Sequence, residues 1–128
     1  MSPRPARRSF VAMTDRRIAL LMGFVASTLA GMSVLHLAGA FGRGTDAGAG
    51  IAEAVIGVAL AAGAVALARE GNRGAAVAAT AFAIAGFLLG LSFTIRDGTA
   101  LEVSYHAAVL PLLVLTLTAL IRARAPYP

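Results

Sequence analysis

Two residues with reactive side chains, Glu102 and His106, stand four apart at the start of the apolar run Leu101–Ile121, and Pro111 follows in the same run. On a helix that spacing puts carboxylate and imidazole on one face about one turn apart, where both can hold one ion or each other. The run is long enough to cross a bilayer. An ionisable group in such a span costs roughly 2.5 to 3.5 kcal/mol or more at the bilayer centre, so each one needs a partner or a use. Glu102 is one residue from the predicted end of the run and within reach of headgroup water, whereas His106 lies about 8 Å inside at 1.5 Å per residue. Pro111 cannot donate to the carbonyl of Ala107 and crowds it, which predicts a bend near His106 and a freed acceptor.

Two more ionisable residues belong with these. His36 lies five residues before Phe41, the predicted outer end of an earlier apolar run, and so about 8 Å below the same boundary as His106. Glu53 stands near the start of the next run, on that side again. His36, Glu53, Glu102 and His106 therefore gather in one outer layer. Three chemistries suit them. His36 and His106 can ligate a b-type haem, with Ala38, Ala107 and Ala108 leaving room for the ring and Arg43 or Arg96 pairing its propionates. All four can bind a divalent ion such as zinc or copper, for which neutral imidazole and carboxylate are the usual ligands in the absence of thiolate. Or they hydrogen-bond one another across helices and hold the outer end together.

The elements that must position them follow from hydropathy. Of 128 residues, 59% are apolar and 13% charged, far from soluble averages. Four apolar runs, residues 18–41, 51–68, 75–95 and 101–121, predict four transmembrane helices. A basic stretch, residues 1–17, reads as a disordered cytoplasmic tail, and residues 122–128 as a short second one. The tail also invites reading as a signal peptide cleaved at Ala38-Gly39-Ala40, but the apolar run from Ile18 to Leu37 exceeds the usual length of such a segment.

Arginine placement orients the spans. Nine of the 11 arginines fall in the two tails and the turn at Arg69 and Arg73, and only Arg43 and Arg96 in the other loops. By the positive-inside rule both ends are cytoplasmic, as in a bacterial-type plasma (inner) membrane. Short connections then give an all-α, up-down-up-down antiparallel four-helix bundle, with the first and last helices adjacent. Gly23, Ser27 and Gly31 form one small-residue stripe and Gly86 with Gly90 another, either of which suits close helix packing, within the chain or against a partner protein or second copy.

Several functions are set aside. Without cysteine there are no disulfides, thiolate metal sites or thiol catalysis. The net charge of +5 flanks apolar runs instead of gathering on a folded face, which argues against nucleic acid. No phosphate loop or GxSxG occurs. Ser33, Ser92 and Ser104 read as interhelical hydrogen-bond partners, Met22 and Met32 as core, and Tyr105 as part of an outer aromatic belt. An accessory or binding role is expected before an enzymatic one. A small haem, metal or quinone redox protein is the first alternative, and a small transporter the second, weakened by the lack of charge at mid-membrane.

Overall fold

The computed structural model describes residues 5–42 and 44–122, with side chains from residue 14 onward, and its described residues contain helices but no strand. The helices are α1 (Pro5–Leu37), α2 (Ala47–Glu70), α3 (Arg73–Asp97) and α4 (Ala100–Arg122). Each contains a stretch long and apolar enough to cross a membrane, beginning in α1 at Thr14. Arg43 and the residues after Arg122 lie outside the described part.

Local chemistry sets the helix ends. The Asp46 side chain accepts from the Ala49 N–H at 3.0 Å and starts α2. Asn72 does the same for α3 through the Ala75 N–H, also at 3.0 Å. Gly71, at φ 64°, ends α2 in the left-handed conformation that closes many helices. At α4 the cap is reciprocal: the Glu102 N–H donates to Thr99 Oγ1 at 3.3 Å, while the Thr99 N–H donates to Glu102 Oε2 at 2.6 Å.

Two boundaries differ from the sequence reading. Helix α1 begins at Pro5, within the stretch expected to be a tail, and proline suits a first helical position because its missing N–H has no partner there in any case. At its other end α1 stops at Leu37, short of Phe41, because Gly39 turns to φ 69° and its N–H folds back onto the His36 carbonyl at 3.1 Å. The Asp46 N–H reaches the same carbonyl at 3.0 Å, so the connecting loop is pinned under the last turn of α1. Helix α2 also starts early, at Ala47, which moves Glu53 from the start of the helix into its second turn.

Glycines bring α2 close to both neighbours. A Cβ on Gly57 would lie 3.3 Å from Leu29 Cβ of α1, and one on Gly63 would lie 2.6 Å from Ala79 Cβ of α3. Met22, Leu29, Leu60, Leu67, Leu113 and Leu120 are fully buried between the helices. Met32 is buried as well, so both methionines are core. Leu20, Phe24, Val58 and Leu115 face outward and are more than half exposed, a surface that suits lipid better than water. Gly86 lies against Ile56 and Gly90 against the His106 ring, so this pair of small residues is used inside the chain. A Cβ on Gly23 or Gly31 would meet nothing within 4 Å.

Candidate functional site

The cluster is built on His36, in the last turn of α1. Its Nδ1 lies 2.8 Å from Glu53 Oε2 and 3.1 Å from the Met32 carbonyl, and its Nε2 lies 3.0 Å from Glu102 Oε1. One imidazole thus joins α1, α2 and α4. The carbonyl can only accept, so Nδ1 carries a proton. The Nε2 contact then needs a proton of its own, on the imidazole or on Glu102. His36 is 5% exposed and Glu102 4%, so these polar groups sit inside the protein and are held by their hydrogen bonds.

Glu102 was expected to be able to reach headgroup water, but it is held inside by its two roles, as partner of His36 and as cap of α4. The Thr99-x-x-Glu102 pattern of a capping box signals the second role in the sequence, where it passed unread. His106 is one turn further along. Its Nδ1 lies 2.8 Å from the Glu102 carbonyl and so donates to it, and its ring meets Phe87 edge-on at 5.2 Å between centroids. Its Nε2 makes no hydrogen bond.

His36, Glu53, Glu102 and His106 all line one cavity of about 730 Å³. Its walls are apolar, with Leu29, Ile56, Phe82, Phe87 and Phe93 among them, and Asp46 and Asp97 stand at its edge. Val55, Phe82, Leu89 and Phe93 line it while remaining about half or more exposed, which puts the mouth between α2 and α3. The volume falls within the roughly 300 to 1,000 Å³ typical of small-molecule sites. Among the described residues, every buried side-chain nitrogen or oxygen sealed from solvent has a hydrogen bond.

The four ionisable residues picked from the sequence therefore come together, by a geometry that bears on the ligand readings. Both nitrogens of His36 face carboxylates, so binding iron or zinc there requires breaking one of these contacts. Among the described residues no three His, Cys, Asp or Glu side chains are arranged to hold one metal ion. Ala38, Ala107 and Ala108, expected to leave room for a porphyrin, are exposed and form no part of the cavity lining. Arg96 is exposed as well.

Other polar residues sort differently. The Ser33 hydroxyl donates to the Gly50 carbonyl at 2.7 Å, an interhelical bond of the expected kind. Ser92 instead donates to Leu89 of its own helix at 2.6 Å. Tyr105 turns inward instead of joining an outer belt: its hydroxyl is 2.9 Å from that of Thr28 on α1, and its ring centroid lies 5.8 Å from that of Phe87. Away from this cluster, Arg73 pairs with Asp15 and reaches the Leu120 carbonyl at 3.5 Å, tying α3 to α1 and α4. That pair was not anticipated, because Arg73 was read only as a turn residue and Asp15 as part of a tail. No protein-family model, curated protein or solved structure matches this chain.

Proposed function

We propose that the chain is an integral protein of a bacterial-type inner membrane, with both termini cytoplasmic, that acts by binding a small molecule at the outer end of an up-down-up-down bundle. The nine-to-two arginine split supports the orientation. Contacts of opposite sequence order support the antiparallel arrangement: Leu29 with Gly57 and Met22 with Gly63, then Ile56 with Gly86 and Ala79 with Gly63. The apolar exterior and the four long helices support the membrane.

The observation that carries the binding reading is the cavity itself, roomy and largely apolar, with a buried Glu53–His36–Glu102 triad and one open imidazole nitrogen on its lining. Both imidazole nitrogens of His36 are engaged by the carboxylates of Glu53 and Glu102, which suits a fixed polar cluster better than a nucleophile or a general base. A redox alternative rests on one observation, that two imidazoles line the same cavity.

Purified protein separates these readings. The binding reading expects colourless protein free of stoichiometric metal, in which an introduced Ala85→Cys is labelled by a membrane-permeant maleimide and protected by a ligand in the cavity. A red protein whose Soret band disappears in His36→Ala and His106→Ala replaces it with the haem reading. Stoichiometric zinc or copper lost in the same variants replaces it with the metal reading. Reporter fusions at the C-terminus test orientation, and periplasmic activity there overturns it.

A further inference from the structure

We infer that the cavity holds one single-chain amphiphile of the membrane, which enters sideways between α2 and α3. Its hydroxyl-bearing head lies among the polar residues where α2 begins and α3 ends, and its tail lies against Ile56, Phe82 and Phe87. The inference rests on the binding reading and adds the class of ligand and its orientation.

The dimensions of the cavity are those of a leaflet. Its lining runs along α3 from Asp97 back to Phe82, about 22 Å at 1.5 Å per residue. Half a bilayer with its headgroups is about 20 to 22 Å deep. Beyond Phe82 the space is closed, because Gly63 of α2 is packed against Ala79 of α3. Polarity also changes along this length as it does in a leaflet. Asp46, Thr94 and Asp97 line the end, and Glu53, His36 and His106 follow within about 10 Å, His106 being packed against Gly90. From Leu89 back to Phe82 the wall of α3 is apolar, and Leu29 and Ile56 complete it from α1 and α2.

The mouth selects what enters. Val55, Phe82, Leu89 and Phe93 line it and are about half or more exposed, so it opens onto acyl chains, and a molecule of the same leaflet enters without changing depth. Left empty, the apolar half forfeits the contacts of its walls, and it offers water few partners. A chain fills it. About 730 Å³ suits one small molecule, whereas a bilayer phospholipid brings two chains and a bulky headgroup. At the polar end a hydroxyl both donates and accepts, so it pairs with a carboxylate or an imidazole in either protonation state. It also pairs with the Thr94 hydroxyl, which donates to the Gly90 carbonyl at 2.8 Å and can still accept.

The test uses the full chain in nanodiscs of zwitterionic phospholipid. The sequence has no tryptophan, so a single introduced one reports alone. Phe87→Trp puts it on the buried wall of the cavity, and dibromostearyl alcohol, brominated at mid-chain, is the quencher. Quenching is expected to saturate near one alcohol per protein and to be reversed by unbrominated stearyl alcohol. Ala85→Phe in the same background fills the cavity and is expected to weaken binding by about tenfold or more. Leu115→Trp, on the outer face of α4, is expected to show only quenching that follows the alcohol-to-lipid ratio without saturating. Octadecane, the same chain without a head, is expected to compete about tenfold more weakly than stearyl alcohol. If Phe87→Trp fails to fold, Phe82→Trp at a half-exposed lining position is expected to show the same saturable component. Equal competition by octadecane overturns the polar head. Quenching that is unsaturable, or indifferent to Ala85→Phe, overturns the amphiphile site. Equally deep quenching of Phe87→Trp by dibromostearoyl phosphatidylcholine overturns the single-chain occupant in favour of bilayer phospholipid. Saturable binding of Nile red, a compact ring dye, that is sensitive to Ala85→Phe and unaccompanied by binding of the alcohol overturns the ligand class while sparing the binding reading. Saturable binding of neither the alcohol nor the dye overturns both.

Discussion

His36 Nε2 and Glu102 Oε1 stand 3.0 Å apart across 66 residues of sequence, and the other oxygen of the same carboxylate receives the Thr99 N–H. Glu102 thereby fastens α1 to α4 and starts α4 at once. Glu53 holds His36 through one oxygen only and is the more exposed of the two, 12% against 6% by side chain. Glu102→Ala is therefore expected to destabilise the bundle by about 3 kcal/mol or more, the cost of stripping a buried charged group of its partner, and Glu53→Ala by about 1 to 2 kcal/mol. Glu102→Gln keeps the cap and should fall between them. Unfolding in mixed micelles measures all three. An equal or larger loss in Glu53→Ala would falsify the double role.

The glycines of α2 and α3 are expected to split from those of α1. Gly63→Ala drives a methyl group into Ala79 Cβ, which has no rotamer by which to move away, and should cost about 1 to 3 kcal/mol. Gly86→Ala meets the far end of Ile56, a side chain that can turn, and should cost less. Gly23→Ala and Gly31→Ala meet nothing within 4 Å and should gain up to about 1 kcal/mol of helix propensity. If Gly31→Ala disrupts assembly while leaving each chain folded, that stripe has a partner.

Much of the helical framework was legible in the sequence because long apolar runs are a strong signal. The four helices followed from runs of apolar residues, and the grouping of His36, Glu53, Glu102 and His106 at one level followed from counting residues back from shared ends. What could not be read was rotation about each helix axis. The helices are apolar nearly all round, so the pattern does not mark an inward face, and Tyr105 turned inward where an outer belt was expected. The Arg73–Asp15 pair escaped for a related reason. Its members lie at helix ends, where a charge reads as solvated unless the partner helix is known to pass beside it.

That pair supports a third prediction. Arg73 and Asp15 are 14% and 15% exposed by side chain, shielded enough that losing one partner leaves a poorly solvated charge. Arg73→Leu alone should cost about 1 to 3 kcal/mol, whereas Arg73→Leu with Asp15→Leu should recover most of it, since replacing both partners by apolar groups can be nearly neutral. A double-mutant cycle in detergent measures the coupling. Additive losses would show that the two side chains act independently.

The two histidines are expected to separate stability from binding. His36 sits between two carboxylates, and His36→Leu leaves Glu53 and Glu102 buried without the protons that joined them, so it should cost about 3 kcal/mol or more. Adding Glu53→Gln and Glu102→Gln to His36→Leu removes the stranded charge and should restore part of the loss. His106 is different. It donates only to a carbonyl of its own helix and otherwise packs on Phe87, so His106→Leu keeps the apolar contact and should change stability by no more than about 1 kcal/mol. Its open Nε2 is nonetheless lost, and a ligand in the cavity that donates to it should bind about tenfold or more weakly in a protein that melts like the wild type. Melting curves and probe titrations on the same preparations decide the matter. A His106→Leu variant that binds normally but unfolds early would assign His106 to holding the fold and leave the cavity without its proposed acceptor.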